Sequence, residues 1–115
     1  MRADEAQVSI DDFMKLDVRV GTIVSAEPLE KARKPAIKLH IDFGAVGIKR
    51  SSAQITARYD ADQLIGRQVV AVVNFPPRRI AGFVSEVLVL GGVPSEGDVV
   101  LLRPDEEVPN GTPIA

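Results

Sequence analysis

The chain has 115 residues, 45% of them apolar and 26% charged, with a formal net charge of −2. That is enough for one modest core; the balance excludes intrinsic disorder, and no run of about eighteen apolar residues offers a helical membrane span. The absence of cysteine excludes disulfides, thiolate chemistry and cysteine-ligated zinc, and His40 is the only histidine.

The first twelve residues are rich in acids and carry no charged-then-apolar leader, so the chain is expected to be a soluble, cytoplasmic protein without membrane insertion. It reads as a single domain over residues 1–115, with 1–8 expected to be flexible. "SIDDFMKL" predicts a short helix: Ser9 is an N-cap, acids occupy the first turn, and Ile10, Phe13, Met14 and Leu16 fall roughly on one side. "DVRVGTIVSA" predicts a strand, with Gly21 marking a bulge or sharp bend inside it. "AIKLHIDF" alternates, placing Ile37, Leu39, Ile41 and Phe43 on one face and Lys38, His40 and Asp42 on the other.

Gly44 to Gly47 reads as a hairpin connection, and "IKRSSAQI" as the returning strand. "TARYDADQLIG" predicts a turn or two of helix closed by Gly66, with Asp60 and Asp62 near its start. "QVVAVVNF" is nearly continuous in apolar residues and predicts a central strand. "GFVSEVLVL" predicts a fifth strand, Gly91 to Pro94 a turn, and "DVVLL" a short sixth strand. "RPDEEVPNGTPIA" predicts an irregular, extended tail over 103–115. The sequence contains no internal repeat and no low-complexity tract.

The charges are unevenly spread. Residues 1–30 hold three basic and seven acidic side chains, residues 31–79 ten basic and three acidic, and residues 80–115 one basic and six acidic. A cationic middle between anionic ends concerns partners and not the fold. Strand order places it. Five main strands, a short helix between the third and fourth, and a glycine bend in the first predict an all-β, five-stranded Greek-key OB-fold barrel, with an N-terminal helix and an extended C-terminal segment added. Such barrels bind on the face of strands two and three, between the loop joining strands one and two and the loop joining four and five. Here the first loop carries Lys31, Arg33 and Lys34, the second Arg78 and Arg79, strand two Lys38, and strand three Lys49 and Arg50. Pro76 and Pro77 give the two arginines a rigid mount, which limits the chain entropy lost on binding.

"FMKLDVRVGTIVSAEPLEKARKPAIKLHIDFG", "SSAQITARYDADQLIGRQVVAVVNFPPRRIAGFVSEVLVLGG" and "GDVVLLRPDEEVPNGTPI" together resemble the tRNA-binding domain family, most closely its export-related chaperone branch. The resemblance covers about Asp12 to Ile114. It implies a small homodimer that binds tRNA and, in that branch, unfolded polypeptide or preprotein, with docking to secretion machinery open. Ala53 and Gln54 stand where relatives usually read Ser-Gly, and Gln54 is counted among the ligand-binding residues. Phe75-Pro76-Pro77 stands where many tRNA-binding members show Leu-Lys-Pro, which removes a lysine from the rim and adds an aromatic ring.

For Arg78 and Arg79 the expected role is charge-assisted contact to phosphates or to peptide carbonyls and carboxylates; the plain alternative is two solvated turn residues. Lys31, Arg33 and Lys34 form a phosphate clamp or simply soluble surface. Phe75 contacts ligand or packs a barrel corner. Lys38, Lys49 and Arg50 depend on strand register. His40 alone builds no metal site, no cofactor is expected, and no serine has a readable histidine partner, so catalysis is not expected. Two uses remain. One is a chaperone with apolar grooves beside positive charge. The other is a structure-specific tRNA-binding protein acting in trans with translation components, reading phosphates and shape because aromatic residues are only 4% of the chain. The N-terminal helix and the tail from Arg103 are expected at a dimer interface.

Overall fold

A computed structural model describes residues 6–115; of the segment expected to be flexible, residues 1–5 lie outside the described residues. Helix α1 spans Ile10–Met14 and starts as its sequence dictates. The Ser9 hydroxyl accepts the Asp12 amide at 3.1 Å, and the Asp12 carboxylate accepts the Ser9 amide at 3.3 Å, so two otherwise unpaired donors are satisfied reciprocally. None of the helix's residues is buried.

Strand β1 (Val18–Pro28) is the long element on which the barrel is built. Its first half pairs with β4 (Gln68–Val72) and its second half with β2 (Ile37–Asp42), the exchange occurring at Thr22. The bulge lies at Val24, where the β2 register shifts between Ile23 and Ser25, while Gly21, read as a bulge or sharp bend, stands next to Thr22, where the strand changes partner. Gly21 answers a different constraint. A Cβ there would stand 2.7 Å from Ile41 Cγ2 and 2.7 Å from Phe43 Cδ1, inside the core.

Strand β2 turns through a short 3-10 segment (Gly44–Val46) into β3 (Ile48–Ala53). Its alternation is realised as read: Ile37, Leu39 and Ile41 are buried and Lys38, His40 and Asp42 are half-buried. Helix α2 (Ala61–Leu64) follows, with Asp60 as N-cap and Gly66 beyond its end at φ +90°. β4 is buried at every position because it has a core on each face. Val69 and Ala71 join Ile23, Leu39, Ile41, Phe43 and Leu64 inside the barrel, while Val70 and Val72 form a second cluster with Val18 and Val20, against which Val108 and Leu90 pack.

The predicted fifth strand is three pieces. β5 (Arg78–Ile80) and β6 (Phe83–Ser85) form a separate hairpin, and only β7 (Leu88–Val89) pairs with β4. Ala81 and Gly82 make the two-residue turn with φ of 50° and 80°, the left-handed pair that matches strand twist in a tight hairpin. Residues 85–87 close the barrel against the free edge of β3, partly with side chains in place of backbone. The Glu86 amide donates to the Arg50 carbonyl at 2.7 Å, the Ser52 amide donates to the Ser85 hydroxyl at 3.0 Å, and the Ser51 hydroxyl donates to the Val87 carbonyl at 3.2 Å. The sheet order is β3-β2-β1-β4-β7, a nearly closed all-β barrel of the expected OB type.

Gly91 to Pro94, read as a turn, belongs to strand β8 (Gly91–Ser95), which pairs with β9 (Asp98–Leu101). The tail is extended as expected and lies along β1 of its own chain. The Val20 amide donates to the Thr112 carbonyl at 2.9 Å, Gly111 donates to Val20 at 2.7 Å, and Ile114 donates to Val18 at 2.8 Å. The Gln68 side chain bonds both backbone groups of Val108, at 2.7 and 3.1 Å. The strap thus occupies the edge of β1 that β2 leaves when the strand bends away.

Candidate ligand face

The β5–β6 hairpin leans over the outer face of β2 and β3. Its register sets Arg78 opposite Ser85, Arg79 opposite Val84 and Ile80 opposite Phe83. Side chains alternate across a strand, so Arg78, Ile80, Phe83 and Ser85 share one face and Arg79 and Val84 the other. The first face looks at the barrel: Ser85 accepts from β3, and the Phe83 ring meets His40 edge-on at 6.4 Å between centroids.

Beneath the base of the hairpin lies a groove of about 410 Å³, walled by Phe75, Pro76, Pro77, Ile80, Val87 and Leu88. Arg78 stands on it, together with Ser52, Ser85 and Glu86. Phe75 is 44% and Leu88 49% exposed, so water meets apolar surface here that the fold does not cover. Nearer the tip is a second cavity of about 520 Å³, lined by Lys31, Arg33, Lys34, Gln54 and Ala81, with Ile80 and Ser52 shared with the first. A third, of about 380 Å³, lies across the tip between Lys31, Lys38 and Phe83.

The predicted residues therefore divide. Arg78, Phe75, Lys31, Arg33, Lys34 and Gln54 gather around the hairpin, and Lys38 joins them from β2. Arg79 lines none of these three cavities. Lys49 is separated as well: it stands opposite Ile41 on the row that continues inward as Leu39 and Ser51, whereas Arg50 stands opposite His40 on the outer row. Adjacent strand residues cannot face one way, so Lys49 and Arg50 do not form the joint patch that the sequence reading gave strand three.

Two of the cations are already engaged. Arg50 donates from Nε to Glu86 at 3.2 Å, and its amide donates to the same carboxylate at 3.1 Å. Partial burial alone would raise the Glu86 carboxyl, but these two bonds and the guanidinium charge outweigh it and hold the group below its usual range. Lys38 faces Glu27 across the β1–β2 pair at 3.6 Å. Among the described residues Lys31, Arg33, Lys34, Arg78 and Arg79 make no ion pair. No described carboxylate takes up their charge.

Sequence reasoning missed Ile80, Val87 and Leu88 as groove walls, Glu86 as the residue that holds Arg50, and Phe83 as the cover on His40. "IAGF" held a usable signal, since a two-residue X-Gly between β-formers marks a hairpin. Nothing local marks Glu86. Among the described residues no group of three or more His, Asp or Glu side chains is placed to hold a metal ion.

The arrangement can hold an extended chain or a phosphate backbone. The family model described as "Putative tRNA binding domain" matches residues 18–113. A methionine–tRNA ligase from Methanococcoides burtonii is 39% identical over 107 residues, covering 93% of this chain and 16% of the ligase, so the chain spans a small part of the length of such curated relatives. Among solved structures, the chaperone CsaA from Bacillus anthracis str. Ames is 63% identical with a TM-score of 0.92, the match covering 96% of this chain and all of that one. The CsaA chaperone protein from Picrophilus torridus is 47% identical with a TM-score of 0.87, over 95% of this chain and 100% of that chain.

Proposed function

The chain belongs to the tRNA-binding domain family, and from that premise we propose that it is a non-enzymatic binding protein, a chaperone that holds unfolded polypeptides on its OB-fold face and binds tRNA there as well. The observation that carries the polypeptide role is the groove under the hairpin. Exposed Phe75 and Leu88 beside Arg78, which makes no ion pair among the described residues, suit an apolar side chain on a backbone rich in hydrogen-bond acceptors. The likeness to two solved chaperones supports this reading. Preproteins awaiting export are the substrate class it points to, with docking to secretion machinery and a cytoplasmic location as parts of the same proposal.

A primarily tRNA-binding role in trans is the second reading, favoured by the Lys31, Arg33 and Lys34 cavity and by the methionine–tRNA ligase relatives. Phosphate contacts from lysine and arginine give affinity that falls steeply with salt. Either role gains from a homodimer, which doubles the face. Helix α1 supports a dimer, because Ile10 and Met14 are 74% and 63% exposed and no described residue buries them.

The test is a competition titration with a labelled, permanently unfolded polypeptide and bulk tRNA at salt from about 50 to 200 mM. The chaperone reading expects polypeptide binding that persists at the higher salt while tRNA binding weakens by at least tenfold. Failure of any unfolded polypeptide to bind, with tight salt-sensitive tRNA binding, would leave the second reading alone.

A further inference from the structure

We infer that only one of the two adjacent arginines reads a polypeptide: Arg78 contacts the main chain of a segment lying in the groove under the hairpin, and Arg79 does not. The inference rests on the polypeptide reading above and adds to it which residue makes the polar contact and what it recognises.

Four observations converge. The β5–β6 register puts Arg78 on the barrel-facing side with Ile80, and Arg79 on the far side with Val84. Arg78 lines the groove and Arg79 does not. The groove's one carboxylate, Glu86, is already held by Arg50, so it does not draw Arg78 away. Finally, Pro76 and Pro77 lead straight into β5, and each fixes its own φ.

The chemistry follows from the groove's composition. Its walls are mainly aliphatic, aromatic and proline carbon, which accept an apolar side chain of almost any shape. The carbon of such a wall offers nothing to the carbonyl oxygens on either side of that side chain, the Ser52 and Ser85 hydroxyls bring one donor each, and a carbonyl taken out of water without a partner is costly. A guanidinium has five N–H donors in a planar fork and no acceptor, so it can serve main-chain carbonyls whatever the neighbouring side chains are. Arg78 therefore supplies an interaction that every extended segment can use, and the ligand needs no acidic residue. This makes Arg78 a ligand-contacting residue with broad selectivity, and leaves Arg79 as surface charge acting at long range.

The test uses the full chain and a blocked, uncharged decapeptide carrying two leucines, followed by fluorescence anisotropy. Arg78→Gln is expected to weaken binding about three- to fivefold, Arg78→Lys to recover part of it, and Arg79→Gln to stay within about twofold. Thermal unfolding of the variants is expected to match the parent. Equal losses from Arg78→Gln and Arg79→Gln would overturn the assignment while leaving the chaperone reading standing. An Arg78 effect seen only with an aspartate-containing version of the peptide would overturn main-chain recognition in favour of a carboxylate contact. A parent protein that binds neither peptide nor any unfolded chain would remove the polypeptide reading, and this inference with it.

Discussion

Substituting Gly111 by alanine puts the C-terminal strap to the test. Gly111 sits at φ +89°, and an added Cβ would stand 2.5 Å from the Phe43 carbonyl oxygen, a backbone atom that cannot swing aside. The left-handed conformation alone costs a residue with a Cβ about 1–2 kcal/mol. Relieving the overlap requires the strap to lift, which threatens three backbone hydrogen bonds, from Gly111 to Val20, Val20 to Thr112 and Ile114 to Val18. At about 1 kcal/mol net for each bond, the expected loss is about 2–4 kcal/mol, with full release of the strap as the ceiling. Urea unfolding at fixed protein concentration reads this as a shift of midpoint, and sedimentation on the same sample reports the oligomeric state. Deleting the chain from Pro104 is expected to cost more, because Val18, Val20, Val70 and Val72 lose the Val108 contact, and to weaken a dimer if the strap also serves one. A loss below about 1 kcal/mol in Gly111→Ala would refute the argument that the strap is held tightly to β1.

Gly21→Ala tests the barrel interior. Strand propensity alone favours alanine by about 0.5–1 kcal/mol, yet its Cβ would enter space filled by Ile41 and Phe43, both fully buried, so a net loss of about 1–3 kcal/mol is expected in the same urea assay; a neutral or stabilised variant would show that the core has room there. Acid is expected to destabilise the fold. The Arg58 hydrogen bond holds Asp98 below its ordinary 3.8, and Arg50, working against partial burial, holds Glu86 below its ordinary 4.5. Carboxyls depressed by folding contribute stability that is complete above about pH 5 and is lost as the pH falls through their lowered values. Urea midpoints should therefore decline on acidification below about pH 4.5, less steeply in Arg58→Gln, and a midpoint that rises on acidification would refute the sign.

The sequence by itself determined what short-range physics encodes. The strict alternation from Ile37 to Phe43 fixed β2 and its core face, because a strand with one buried side has no other stable register. Ser9 and Asp12, three residues apart, fixed the start of α1, and the continuous apolar run fixed β4 as a doubly covered strand. The order of these elements located the candidate ligand face, and Lys31, Arg33, Lys34, Lys38 and Arg78 of the basic segment line its cavities.

Only the tertiary structure decided the rest. "GFVSEVLVL" reads as one strand because nothing within it records that Ser85 and Glu86 must bond the edge of β3, more than thirty residues away, and so divide it into a hairpin arm and a short barrel strand. That division turned Arg78 and Arg79 from a joint patch on a loop into residues on opposite faces. Lys49 and Arg50 separated for the same reason: two neighbours on a strand point apart, and which one shares the outer row with His40 depends on the partner strand. The tail has no periodicity, and its course is set by edges that β1 leaves free only after bending between two partners. Local pattern specifies which residues extend and which face they bury, whereas pairing across long loops is decided by which donors and acceptors the assembled barrel leaves unsatisfied.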